Sequence, residues 1–210
     1  MSGVTTLVDF TSGNTGIAYA MIAAAKGYDC IIVMPQVKPM YERYVICRQF
    51  GAHVHLFNPA SGFAGAYEYM NQLVKSNPNY YWINQMENQH NPEAHALTTG
   101  TEIWEQTDRK ITHFIHGIGT GGCIAGVGKF LKEKNKNIKV IALEPTESRV
   151  HVGNPPKPHG VIGWSPGIHS NFIEKSETLD DKPRGIVNNE MIASSGILNV
   201  LGYLEESGAF

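Results

Sequence analysis

Two glycine-bearing segments carry the residue types that could do chemistry. The first is Gly117-Ile118-Gly119-Thr120-Gly121-Gly122-Cys123, set between an apolar run, THFIHG, and a helical one, GCIAGVGKFLKEKN. Glycine lets successive N–H groups turn towards one point, and a helix start adds its partial positive charge there. Such a cradle suits a phosphate. A tight turn without a ligand would also join strand to helix, but four glycines in six residues exceed what a turn needs. The second segment is Thr11-Ser12-Gly13-Asn14-Thr15-Gly16, again between a strand-like run (LVDF) and a helical one. Its side chains could cap that helix through Ser12, Asn14 or Thr15, or form with its free N–H groups a small anion pocket suited to a carboxylate.

The first segment also matches G-x-G-x-x-G at Gly117, Gly119 and Gly122, and the next strand ends in Glu144. Read as a dinucleotide fingerprint, this predicts an NAD-dependent dehydrogenase or FAD enzyme with Glu144 on a ribose hydroxyl. That reading gives the second loop no task. His90 with His95 and His113 with His116 lack the spacing of a zinc motif, so no metal site is expected. Tyr67, Tyr69, Tyr80, Tyr81 and Trp82 read as core and interface aromatics.

The elements that must position these loops alternate. CIIVMP, HVHLF, YYWIN, THFIHGIG and KVIALEP read as strands. IAYAMIAAAKG, MYERYVICRQFGA, AGAYEYMNQLVKS, PEAHALTTGTEIWEQT and GCIAGVGKFLKEKN read as helices. The strands are too apolar for one wet face, which predicts an α/β fold of open, twisted, mostly parallel sheets with helices on both faces. IAYAMIAAAKG is apolar all round, the signature of a helix buried between layers. After Pro145 the rhythm stops, residues 151–169 read as a surface or ligand-covering loop, and NNEMIASSGILNVLGYLEES reads as a last helix.

The 210 residues suffice for a sizeable core, and a net charge of −2 argues against nucleic acid and acidic membranes as partners. No basic, apolar leader or bilayer-length run occurs, so a cytoplasmic protein is expected. Cys30, Cys47 and Cys123 are too few and wrongly spaced for a disulfide framework and are expected to be reduced.

TSGNTGIAYAMIAAAKGYDCIIVMP, NQMENQHNPEAHALTTGTEIWEQT, GIGTGGCIAGVGKFLKEKN and KVIALEPTES, in this order, resemble the cysteine synthase and cystathionine β-synthase family of pyridoxal-phosphate (PLP) enzymes. The resemblance runs from about Thr6 to about Asp180. It implies PLP fold type II, tryptophan synthase β-like but incomplete, with a smaller substrate-loop domain over 6–84 and a partial larger phosphate-binding domain over 85–210. It implies that Gly119, Thr120, Gly121, Gly122 and the residue at Cys123 hold the PLP phosphate and that Asn14 bonds the cofactor's 3′ oxygen. Thr11, Ser12, Gly13, Thr15 and Gln85 would grip the carboxylate of a small amino-acid substrate. The implied reaction is β-replacement, in which a serine derivative such as O-acetylserine loses its leaving group and gains sulfide.

The chain also departs from the pattern. The family's Schiff-base lysine belongs upstream of the second loop, where no lysine stands, and Lys26 lies inside the following helix. A truncated or inactive copy is therefore expected, or a non-catalytic partner that binds PLP or amino acid beside a full-length homologue; a homodimer is the default assembly. Cys123 replaces a threonine whose hydroxyl is a stronger donor, so PLP binding should be weak or non-covalent. Gly163-Trp164-Ser165-Pro166-Gly167 replaces a glycine-rich segment. Ser194-Ser195-Gly196 has the letters of a family motif but not its flanks.

Overall fold

The computed structural model describes residues 6–161, 163–174 and 178–186. The chain divides into two compact units, Met1–Gln85 and Met86–Phe210. Among the described residues no helix is long and apolar enough to cross a membrane.

The first unit is built on four parallel strands in the order β3-β2-β1-β4: β1 (Thr6–Phe10), β2 (Asp29–Pro35), β3 (His53–Phe57) and β4 (Tyr80–Trp82). Its helices are α1 (Asn14–Lys26), α2 (Tyr41–Gln49) and α3 (Gly62–Ser76). The continuous apolar run of β2 is explained by two covered faces. Cys30, Ile32 and Met34 point into one core with Ala20 and Ala23 of α1 and Tyr44 and Cys47 of α2. Ile31 and Val33 point into the other with Val8 of β1 and Met70 of α3. Period-two alternation thus gives each face its own hydrophobic set. Burial also keeps the thiols protonated: it pushes Cys30 up to about 12, with Cys47 adding to the effect.

One expectation is corrected at α1. It packs through Gly16, Ala20 and Ala23, while Met21 and Ile22 stay 48% and 45% exposed. The helix is apolar all round because its exposed positions are apolar too, not because layers enclose it.

The second unit has a parallel sheet in the order β5-β6-β7, with β5 (His113–Gly117), β6 (Lys139–Pro145) and β7 (Arg184–Ile186). β7 lies in the stretch where the strand–helix rhythm was lost. The run expected as one helix over 92–107 is two, α4 (His90–Leu97) and α5 (Thr99–Gln106), which break at Thr98. α6 (Gly122–Lys134) packs Ile124, Val127 and Leu131 against Phe114, Val140 and Ala142 of the sheet. Two short 3₁₀ turns follow β6, and α7 (Asn171–Glu174) adds Ile173 to the same core. The helix expected over 188–207, and with it Ser194-Ser195-Gly196, lies outside the described residues.

α4 lies directly on α6. A Cβ added at Gly126 would stand 2.0 Å from the carbonyl oxygen of Pro92 and 3.1 Å from Ala96 N. Both obstacles are backbone, so Gly126→Ala must push the helices apart. A loss of about 2–3 kcal/mol is expected, read as a lower thermal or urea midpoint. An unchanged midpoint would show that the two helices part freely.

Candidate functional site

The 11–16 loop and Gln85 belong to the first unit, and the 119–123 loop belongs to the second.

In the first unit the loop leaves β1 and opens α1. Thr11 is buried, its N–H bonds Val33 O at 3.0 Å, and its hydroxyl accepts the Gly13 N–H at 3.0 Å. Gly13 sits at the N-cap, so the capping alternative for Ser12, Asn14 and Thr15 is not what the helix start uses. Asn14 is exposed, Ser12 and Thr15 are half-buried, and no hydrogen bond among the described residues uses these three side chains. The Ser12 carbonyl accepts from the Arg43 guanidinium at 3.0 Å, and that side chain lies flat over Gly13, where a Cβ would come within 2.8 Å of it. Gly16 is closed in by Thr11 and Ile32, at 2.6 and 2.9 Å from an added Cβ.

Gln85 comes to the root of this loop. Its amide Nε2 donates to Phe10 O at 2.9 Å and its N–H donates to Asp9 Oδ2 at 3.2 Å. Asp9, which sequence reasoning passed over, anchors the region. Its Oδ1 accepts the Phe10 N–H at 2.7 Å and the Trp82 indole N–H at 3.0 Å. Burial raises this carboxyl to about 6, against the lowering effect of its bonds to Phe10, Trp82, Gln85 and Tyr19. A lone acid within the apolar run TLVDF was the available signal.

In the second unit the cradle opens α6, a 13-residue helix with Gly121 at its N-cap. Gly121 has φ 84°, the left-handed region that favours glycine, and an added Cβ would meet Ser170 Oγ at 2.2 Å. Gly122 is pressed by Asn91, whose Oδ1 would be 2.1 Å from a Cβ. The Thr120 hydroxyl accepts the Gly122 N–H at 3.2 Å and Asn91 Nδ2 at 3.1 Å, which leaves its own proton to donate. No acceptor among the described residues takes the N–H of Gly119, Thr120, Gly121 or Cys123. Cys123 is half-buried at the first turn, and burial raises its thiol above the usual range.

Behind the cradle, Trp164 lies flush on Gly117, where a Cβ would fall 2.1 Å from the indole. The Ser165 N–H bonds Ile118 O at 2.7 Å. Glu144 is fully buried, and its Oε1 takes both the backbone N–H of His151 (3.1 Å) and the ring Nδ1 (2.8 Å). Oε1 is thus occupied within the protein, while the buried Oε2 has no hydrogen-bond partner among the described residues. His116 Nδ1 donates to Gly117 O at 2.7 Å; burial lowers its pKa, while this bond works the other way. Among the described residues no cluster of three or more His, Cys, Asp or Glu could hold a metal ion.

The family described as Pyridoxal-phosphate dependent enzyme matches residues 2–180. The chain belongs to that family. Its relatives within the pyridoxal-phosphate dependent enzymes include Cysteine synthase 3 of Caenorhabditis elegans, 42% identical over 174 residues that make up 83% of this chain and 51% of that protein. Cysteine synthase A of Escherichia coli K12 is 40% identical over 212 residues, 96% of this chain and 63% of that protein. The chain therefore spans about half to just under two-thirds of these relatives' length. Among solved structures, the cysteine synthase of Entamoeba histolytica superposes with a TM-score of 0.79 at 39% identity, covering 88% of this chain and 54% of that one. The chemistry of the 119–123 loop suits a phosphate dianion such as that of the family's cofactor: it has N–H groups with no acceptor among the described residues and a threonine proton left to donate.

Proposed function

We propose that this chain binds pyridoxal phosphate and a small amino acid, and that it serves β-replacement of the cysteine synthase type on an O-acetylserine-like substrate with sulfide as acceptor. The observation that carries this reading is the cradle itself, four backbone N–H groups and the Thr120 hydroxyl with no acceptor among the described residues. These groups hold the phosphate, and the α6 N-terminus adds its dipole. To Asn14, whose side chain makes no hydrogen bond among the described residues, we assign the cofactor's 3′ oxygen. Thr11, Ser12, Thr15 and Gln85 take the substrate carboxylate, Gly13 shapes the loop with its N–H given to Thr11 Oγ1, and Gln85 is held at the loop root by Phe10 O and Asp9. Bound there, the cofactor supplies an electron sink for carbanion chemistry. Moving the α-proton calls for a lysine amine. Lys26 does not fit that task, because it lies in the last turn of α1, about 18 Å along the axis from Asn14.

Absorbance with added PLP, followed by borohydride reduction and mass analysis, tests this. Uptake that persists without a covalent adduct supports binding through the cradle. An adduct on a lysine of this chain would overturn the non-covalent reading. Retention of a nicotinamide dinucleotide without PLP uptake would overturn the assignment in favour of a dehydrogenase. Uptake without sulfide-dependent turnover, gained only beside a full-length homologue, would identify a non-catalytic binding partner.

Cys123 offers a graded check. Its thiol is a weak donor where a hydroxyl would be a good one. Cys123→Thr should tighten PLP binding about three- to tenfold, the worth of one neutral hydrogen bond, as read by fluorescence titration. Unchanged affinity would show that position 123 does not face the phosphate.

A further inference from the structure

The buried acid–imidazole–hydroxyl series behind the cradle has no task in the function above. Glu144 Oε1 lies 2.8 Å from His151 Nδ1, and both side chains are almost fully enclosed, at 0% and 3% exposure. The other ring nitrogen, Nε2, accepts the backbone N–H of Ser170 at 2.9 Å. A nitrogen that accepts cannot carry the proton, so the ring is the Nδ1–H tautomer, donating to the carboxylate. The Glu144 carboxylate also takes the His151 backbone N–H, which pins the ring at its base. Ser170 is itself buried and donates its hydroxyl to Thr120 O at 2.6 Å. The series therefore runs from the end of β6 to a single peptide group of the cradle.

That peptide joins Thr120 to Gly121. No peptide among the described residues is cis, so its C=O and N–H point in opposite directions. Tying the carbonyl to Ser170 turns the Gly121 N–H away from Ser170, and no described residue accepts it. Without the tie, a left-handed glycine at a helix start has wide freedom to rotate that plane.

We propose that Glu144, His151 and Ser170 are positioning residues that hold the Thr120–Gly121 peptide with its N–H facing the cofactor phosphate. The inference rests on the cradle reading above, adds His151 and Ser170, which no motif in the sequence marks, and gives Glu144 a task other than a ribose contact. The three side chains touch neither cofactor nor substrate; they act through one peptide plane. Their effect is accordingly confined to ligands that bear a phosphate.

The test compares PLP with pyridoxal, which lacks the phosphate, on the wild-type chain, Ser170→Ala, Ser170→Thr and Glu144→Gln. Ser170→Ala is expected to weaken PLP about tenfold, the worth of one well-made hydrogen bond to the cradle, and pyridoxal less than about twofold. Ser170→Thr should restore PLP affinity, and Glu144→Gln, which loosens His151 from further away, should weaken it by a smaller factor. Amide exchange without ligand gives a second readout: exchange over residues 119–123 should quicken in Ser170→Ala, with the middle of α6 unchanged. Equal loss of PLP and pyridoxal, or unchanged PLP affinity and exchange in Ser170→Ala, would overturn the inference and leave the function standing. Failure of the wild-type chain to take up PLP would overturn both.

Discussion

Gly121→Ala is expected to abolish phosphate binding and to destabilise the second unit by about 3 kcal/mol. Two effects act together. The left-handed backbone at φ 84° costs an alanine about 1–2 kcal/mol. The added Cβ would stand 2.2 Å from Ser170 Oγ and 3.0 Å from its Cβ, so Ser170 must release Thr120 O or the helix start must shift. Release loses about 1 kcal/mol of hydrogen bonding. Either response turns the Gly121 N–H, and with it the cradle. A melting midpoint and a PLP titration read the two losses separately. Ser170→Ala in the same chain removes the nearest obstacle, so the double variant should recover part of the midpoint without recovering the affinity. A Gly121→Ala protein that binds PLP like wild type would remove this loop from the phosphate site.

Asp9 sets the second large effect, on pH. Its carboxyl titrates at about 6 in the fold and near 3.8 unfolded. Between these values the folded chain holds the extra proton, so unfolding free energy falls as pH rises through the window. The full penalty at neutral pH is about 3 kcal/mol for this 2%-exposed group. Asp9→Asn cannot ionise and should flatten the dependence, though it sets an amide against a backbone N–H and loses about 1 kcal/mol of that contact. Asp180 behaves in the opposite sense. Burial works against its charge, but bonds to Lys132, Val140 N and Lys139 hold it below the usual carboxylate range, so its stabilisation is lost as pH falls. Subtracting the variant's urea midpoints from the wild type's removes that contribution. The difference should drop from pH 4 to about 6; parallel curves would show that Asp9 is not the titrating group. The ionised form that destabilises the fold is also the stronger acceptor for Trp82 and Gln85 N–H. Stability is traded for a fixed loop root.

What the sequence disclosed and withheld follows from how local each feature is. β2 was legible because CIIVMP satisfies two covered faces with its own side chains. The helix starts at Asn14 and Gly122 were legible because glycine and small polar residues punctuate them. The break at Thr98 was not, since Thr-Thr-Gly is compatible with a continuous helix, and only the backbone of Thr98 (φ −114°, ψ −76°) shows where α4 ends. β7 is three residues long and exists by pairing with β6, a partner 41 residues away. The cradle's glycines could be named from spacing alone, but its supports could not. Asn91 and Ser170 reach it, and His151 reaches Ser170, from three separate segments, and nothing in their order of appearance marks them. Glu144 was visible as an acid at a strand end, yet its partner, and so its task, depended on a loop read as a surface or ligand cover.

The close seating of α4 on α6 sets where this protein can accumulate change. With the Pro92 carbonyl against Gly126, the two backbones meet there with no side-chain layer to absorb a difference in volume, and the Asn91 side chain fills the space over Gly122. On the outward side, His90 is largely exposed and Leu97 is 70% exposed, and neither constrains its neighbours sterically. Lineages of this chain should therefore diversify freely along one rim of the helix pair, while the opposite rim stays frozen atom for atom.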